Sequence, residues 1–361
     1  MTKPRPYFYT PTMLRPLPDF ITQNTVLPLI AAPMFLVSGP DLVLASCQAG
    51  VIGSFPAPNA RTIEILDEWL ARITTSLAAS PHPPVAASPP RPIAPWAINL
   101  VVHRTYQRQQ AELELVLKYQ PPLVITALGS PRAVVDAIHS YGGLVFADVN
   151  SVTYARKAAE AGVDGLILVC AGAGGHTGQV SPFAFIEAVR RFWDGYVVLA
   201  GAISRGRAIR AVQTLGADLA YMGTRFIATQ ESLASHDYRQ MLVEANVEDI
   251  VLSAAITGIP ANFLKPSLRR AGYDPEQMAH GATVNFDNPH GEAKAWRDIW
   301  SAGQGVGSVQ QVQTVAELVA ELQAEYGEAV RQEMQADSWA RQYRQTTPTV
   351  SKKKVTQRAQ R

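Results

Sequence analysis

The sequence predicts an α/β fold, a (β/α)8 barrel of the TIM type carrying a smaller, mainly helical cap domain. Three observations carry this. Eight short apolar runs recur between Pro28 and Met222, each followed by a helical segment or leading into one. The runs are apolar throughout rather than alternating, as strands buried on both faces must be. The repeat occupies about 200 residues, the span of one barrel. A doubly wound open sheet is the alternative reading of the same alternation.

The first strand is Pro28–Ala32, closed by Pro33-Met34. A helix over Pro40–Gln48 has Asp41 in its first turn, where an acid suits the helix dipole. Strand Val51–Phe55 precedes a helix through Ile65, Leu66, Trp69 and Leu70 to about Leu77, capped by Asn59 or Thr62. Seven prolines between Pro81 and Trp96 make that stretch an extended loop. Strand Trp96–Val102 leads to a helix over Thr105–Tyr119. The rhythm then becomes regular. Strands Leu123–Ala127, Leu144–Asp148, Gly165–Val169 and Tyr196–Ala200 alternate with helices Pro131–Ser140, Thr153–Ala161, Phe183–Phe192 and Arg205–Leu215, and strand Leu219–Met222 completes eight. The expected division is an N-terminal extension over 1–26, the barrel over 27–230 and a helical cap over 231–302. A segment at 303–345 returns a helix (Val312–Tyr326) to the barrel, and a basic tail covers 346–361.

The chain has 361 residues, 47% hydrophobic and 17% charged, a globular composition. Its formal charge of +2 comes from the tail: without Lys352, Lys353, Lys354, Arg358 and Arg361, 27 basic residues face 30 acidic ones. That body gives no argument for a nucleic-acid partner. Two cysteines make neither a disulfide framework nor a metal site. No histidine pairs with another ligand at metal spacing. The start lacks a leader-length apolar core, and no run approaches the ~18 apolar residues of a membrane span. The expectation is a cytoplasmic protein with no membrane partner and no metal.

A β/α barrel does its chemistry at the C-terminal ends of its strands, and phosphates favour the loops after strands seven and eight. Those ends are Ala32-Pro33-Met34, Asn99, Asp148, the loop bearing His176, Gly201-Ala202 and Met222-Gly223-Thr224. The stretch Cys170–Gly178 sets four glycines around His176, so the backbone turns sharply or lies close to something flat. A histidine there is a proton-transfer group near neutral pH, or simply a surface residue on a turn. Gly201 and Gly223 let backbone N–H groups approach an anion, each leads towards a helix N-terminus, and Thr224 adds a hydroxyl. Packing glycines would look the same singly. Pro33-Met34 suits a planar ring or the core, and Asn99 suits a heterocycle edge or a structural partner. No nucleophile elbow, P-loop or G-x-G-x-x-G follows the first strand.

Ala32-Pro33-Met34, Ala97-Ile98-Asn99-Leu100, Ala173–Gly178, Leu199–Ile203 and Tyr221–Phe226 occur in that order. Together they resemble the nitronate monooxygenase family, formerly called 2-nitropropane dioxygenases, from about Leu27 to Tyr326. The resemblance implies non-covalent FMN. Ala32, Pro33 and Met34 would lie by the isoalloxazine and Asn99 would bond it. Asp148 would be among the cofactor-binding residues, and Gly174 and Gly175 would border the cofactor. Gly201, Ala202, Met222, Gly223 and Thr224 would hold the phosphate, and His176 would be catalytic. Two positions depart from the family pattern: Val169 stands where many members have Gln or Glu, and Asp148 where some carry a basic residue. A carboxylate at 148 would repel an anionic nitronate.

The expected reaction is oxidation of nitronates or nitroalkanes by oxygen to a carbonyl compound and nitrite, with His176 as base. The same loop and fold occur in FMN- and NAD(P)H-dependent enoyl thioester reductases, the alternative, in which His176 helps donate a proton. A barrel binding a phosphorylated metabolite without redox chemistry is the third reading. Substrate and oxygen are the expected partners; the sequence says nothing of oligomeric state.

Overall fold

In a computed structural model, residues 15–79, 93–256, 258–279 and 298–335 are described. The basic tail, most of the Pro81–Trp96 loop and the start of the N-terminal extension lie outside them. In chain order the elements are α1 (Asp19–Thr22), β1 (Leu29–Ala31), α2 (Pro40–Ala49), β2 (Gly53–Pro56), α3 (Ile63–Ala79), β3 (Trp96–Val101), α4 (Gln109–Tyr119), β4 (Leu123–Ala127) and α5 (Arg132–His139). Then come β5 (Leu144–Val149), α6 (Val152–Glu160), β6 (Gly165–Val169), β7 (Gly175–His176), α7 (Pro182–Arg190), β8 (Tyr196–Ala200), α8 (Gly206–Thr214), β9 (Leu219–Met222) and α9 (Thr224–Ile227). The remainder is α10 (His236–Glu244), β10 (Ile250–Ser253), β11 (Ala261–Leu264), α11 (Lys265–Arg270), α12 (Pro275–Ala279) and α13 (Val315–Gln335).

Eight parallel strands run in the order β1-β9-β8-β6-β5-β4-β3-β2, and the bridge between Ile30 and Ile52 closes the ring. This is the expected barrel. Its apolar runs supply two cores at once. Leu166, Leu168, Val197 and Leu199 point outward into a layer shared with the helices. The alternate residues Ile30, Ile52, Ala97, Ile125, Phe146, Ile167, Val198 and Tyr221 pack inside the lumen. Ile21 of α1 joins the lumen cluster, with Leu17 and Phe20 packed against it, so the N-terminal segment plugs the ring.

Ser151 and Ser181 cap α6 and α7 through hydroxyls that accept from Tyr154 N and Ala184 N. Pro182 follows at the first helical position, where its missing N–H costs nothing. The returning helix α13 starts at Val315 and packs on α8 and α2.

Beyond α9 the segment is helical, as expected, but it also holds an antiparallel hairpin, β10–β11, with Ile250 opposite Leu264 and Ser253 opposite Ala261. The irregular Gly258-Ile259-Pro260 stretch lies in the connection between these strands. β11 also pairs with β7, placing Ala261 opposite His176 and Asn262 opposite Gly175. The glycine–histidine loop is therefore the third strand of the cap's sheet.

Candidate functional site at the barrel mouth

Each loop at the C-terminal ends of the strands is held by identifiable bonds. After β1, the chain turns through Pro33-Met34 into a segment where Leu36 adopts φ +62°. Buried Asn59 holds that turn. Its Oδ1 accepts from Leu36 N at 2.8 Å, and its Nδ2 donates to Met34 O at 2.9 Å and Ser38 O at 2.7 Å. The Ser38 hydroxyl accepts from Met34 N at 3.0 Å. Met34 Sδ lies 3.3 Å from where a Cβ on Gly223 would stand, so the loops after β1 and β9 touch.

His176 is half-buried and is fixed by its strand pairing rather than carried on a free turn. Thr177 is locked at both ends: its N–H donates to Pro260 O at 3.0 Å and its hydroxyl to Cys170 O at 2.9 Å. Asn262 Nδ2 donates to Ala173 O at 2.6 Å. Burial pushes the Cys170 thiol up to about 12, so it is no nucleophile at neutral pH.

The loops after β6, β8 and β9 converge on the segment 302–305. Gly172 O accepts from Ala202 N at 3.3 Å and Gln304 N at 2.9 Å. Gly303 N donates to Thr224 Oγ1 at 2.9 Å. A Cβ on Gly174 would lie 2.7 Å from Gly303 N, and one on Gly305 2.8 Å from Ser204 Oγ. Gly201 has φ +127°, open only to glycine, and Ala202 has φ +54°. Met222 differs from its neighbours: its side chain packs in the outer core, and its carbonyl accepts from Ala32 N at 2.9 Å. The N-terminus of α8, which the sequence offers to a phosphate, is met by the chain's own acid. Glu325 Oε2 accepts from Gly206 N at 2.6 Å, and its Oε1 from Arg205 at 2.7 Å. What remains for an anion is the backbone before it and the start of α9.

Strand alternation places Ser54, Asn99 and Asp148 on the lumen side with Tyr221. Ser54 donates to Ala31 O, and Asn99 donates a long bond to Ile125 O at 3.5 Å. Asp148 Oδ1 and Tyr221 Oη are buried with no hydrogen-bond partner among the described residues. Burial raises the Asp148 carboxyl to about 7. Burial, and then the Asp148 charge, drive the Tyr221 phenol well up. Two surface hollows among the described residues, about 390 and 530 Å³, lie beside α10 and α2, with none of these residues in their walls. Strand-end chemistry locates the site better than they do.

Against known proteins, the family model described as nitronate monooxygenase matches residues 18–325. The chain belongs to the nitronate monooxygenase family. It is accordingly an oxidoreductase of a flavin-dependent family, acting on small molecules. A nitronate monooxygenase from Paraburkholderia phytofirmans is 26% identical over 360 residues, covering 84% of this chain and 93% of that one. Some curated relatives, among them one from Mycobacterium tuberculosis, are matched over only 63–66% of their length. Among solved structures, a nitroalkane oxidase from Streptomyces ansochromogenes has TM-score 0.69 at 26% identity, covering 86% of this chain and 99% of that one. FabK from Thermotoga maritima, at TM-score 0.71 and 22% identity over 90% of this chain and 98% of that one, shares the fold. Among the described residues, no helix of this family member is long and apolar enough to cross a membrane, and no cluster of three metal-ligating side chains occurs.

The residues present fit FMN. Gly201, Gly303 and Gly305 let the loops after β6 and β8 and the 302–305 segment pack backbone to backbone, which keeps main-chain N–H groups near the surface of the mouth, and two buried lumen oxygens, Asp148 Oδ1 and Tyr221 Oη, have no partner among the described residues. The sequence reading missed Asn59, Asn262, Tyr221 and the 302–305 segment. Tyr221 had a signal in the parity of its strand, and the last in its repeated glycines. Asn59 and Asn262 had none.

Proposed function

We propose that this family member is an FMN-dependent oxidase of small nitro compounds, converting a nitroalkane or its nitronate with oxygen to a carbonyl compound and nitrite. The observation that carries this is His176, held by β11 at the mouth of the barrel above a lumen lined by Asn99, Asp148 and Tyr221. FMN, when bound, supplies the redox chemistry. The protein's share is proton chemistry and placement. Neutral His176 takes the proton from the carbon beside the nitro group, a role worth ~10²–10⁴ in rate. Pairing to β11 holds the backbone of His176 against recoil as its imidazole gains charge. Asn99 and the Pro33-Met34 turn hold the ring, and backbone around Gly201-Ala202 and Gly223-Thr224, with the 303–305 segment, holds the phosphate.

His176→Ala should retain bound FMN, seen in the visible spectrum, while turnover of nitroethane falls ~10²–10⁴-fold. Full turnover in that variant overturns the assignment. Anaerobic mixing separates this reading from a reductase: nitronate bleaches the flavin in the first case, whereas rapid bleaching by NADH or NADPH supports enoyl thioester reduction. A protein that stays colourless after gentle purification supports neither.

A further inference from the structure

Asp148 and Tyr221 stand on β5 and β9, three strands apart around the ring. Both project into the lumen, where the Asp148 charge is felt at the Tyr221 hydroxyl. Around them the lumen is apolar: Asp148 pairs with Ile167, and Tyr221 with Ala200 and Ile30. The other lumen-facing polar groups at this end, Ser54 and Asn99, each donate to a backbone carbonyl, Asn99 by one long bond that leaves the rest of its amide for the ring. Two buried oxygens are left for one ligand to satisfy. Leaving them unmet would cost the fold at each oxygen, so the pair is built for something that enters the mouth.

Their chemistry selects that ligand. A phenol at neutral pH donates one hydrogen bond and accepts others, and a protonated carboxyl does the same. Two neutral donors in an apolar ring suit the two carbonyl oxygens that flank an imide N–H on a flat heterocycle. The pyrimidine edge of an isoalloxazine carries such oxygens. We propose that protonated Asp148 and Tyr221 together hydrogen-bond the carbonyl edge of the flavin, so that flavin binds to the protonated form of the pair. This rests on the reading of the chain as an FMN enzyme and adds to it a proton-linked affinity.

Burial alone raises Asp148 to about 7, with no neighbouring charge contributing. Titratable groups at this end of the barrel are Tyr221 across the lumen, His176 in the strand after β6, and the Cys170 thiol, which donates to Leu168 O. Of the lumen positions beside Asp148 on β4 and β6, Ala127, Ile167 and Val169 carry no charge. A ligand that takes the protonated form raises the carboxyl further. Affinity is then flat below pH 7 and falls above it, by up to tenfold per pH unit until the bound-state value is passed. The departure at position 148 thus acquires a purpose: a neutral acid does not repel an anion as a carboxylate does.

The experiment is FMN affinity by fluorescence titration from pH 6 to 8.5, on full-length protein stripped and reloaded, with riboflavin as a second probe because it lacks a titrating phosphate. Wild type should lose affinity above pH 7 for both probes. Asp148→Asn keeps a neutral donor, so its Kd should match wild type at pH 6 within about threefold and stay level to pH 8.5. Asp148→Ser, a second neutral donor, should give the same level profile and keeps the test open if one variant folds poorly. Tyr221→Phe should weaken both probes about 5–10-fold at every pH. Superimposable pH profiles for wild type and Asp148→Asn overturn the inference while leaving the FMN reading intact. Failure of wild type to bind either probe overturns both.

Discussion

Changing Asn59 to Asp is nearly isosteric and reverses two hydrogen bonds. The amide Nδ2 donates to Met34 O and Ser38 O, and the residue is only 7% exposed. An aspartate oxygen in its place faces two carbonyl oxygens with no proton to give. Two buried acceptors lose their partner, at about 1–3 kcal/mol each, so a loss of about 4 kcal/mol is expected at pH 8. At about 2.1 cal/mol/K of unfolding entropy per residue, that lowers the thermal midpoint of a 361-residue chain by about 5 °C. The loss carries a pH signature. Burial against two carbonyls raises the new carboxyl in the folded state above its unfolded value, near 3.9. The variant is therefore steadier below that unfolded value and weakens as pH rises through the folded one. At pH 5 the protonated acid recovers one donor, and the deficit shrinks by about 1 kcal/mol or more. Thermal melts of both proteins at pH 5 and pH 8, read by far-UV circular dichroism, test this. A drop below 3 °C at pH 8, or the same drop at both pH values, would refute the view that Asn59 holds the Met34 turn by donation.

Two further substitutions probe the same mouth. Gly174→Ala forces a methyl to within 2.7 Å of Gly303 N, parting the loop after β6 from the 302–305 segment; FMN affinity should fall at least about tenfold with far-UV dichroism unchanged, as measured by fluorescence titration. Ala202→Gly relieves a non-glycine residue at φ +54°. The left-handed cost of about 1–2 kcal/mol exceeds the added chain entropy of about 0.5–1, so the midpoint in a melt should rise by about 1 °C.

The barrel was legible because burial on both faces makes each strand an unbroken apolar run, and such runs survive in a single sequence. The places of Asn99, Gly201 and Thr224 at the strand ends were legible because the fold names its working edge in advance. Asn59 was not: read as a helix cap, it instead reaches back 21 to 25 residues to the Met34 turn. The hairpin escaped because β10 and β11 have four residues each and Ile250-Val251-Leu252-Ser253 does not differ in pattern from a short helical stretch. Glu325 was hidden for the same reason as Asn59, lying 119 residues from the amide it caps. Asp148, which the sequence marks only as a poor neighbour for an anion, changes meaning once its burial is known.

The pairing of β7 with β11 bears on how such barrels diversify. Loops on a β/α barrel are commonly exchangeable parts, because each is anchored to its own strand and owes nothing to the next. Here the strand that bears His176 is borrowed from one loop and finished by another, eighty-odd residues further along. A graft that swaps residues 250–264 to change what the site accepts would also reset the register of the histidine. With His176 as the proposed base, recognition and proton transfer would be inherited together, and an engineer would have to redesign them as one unit.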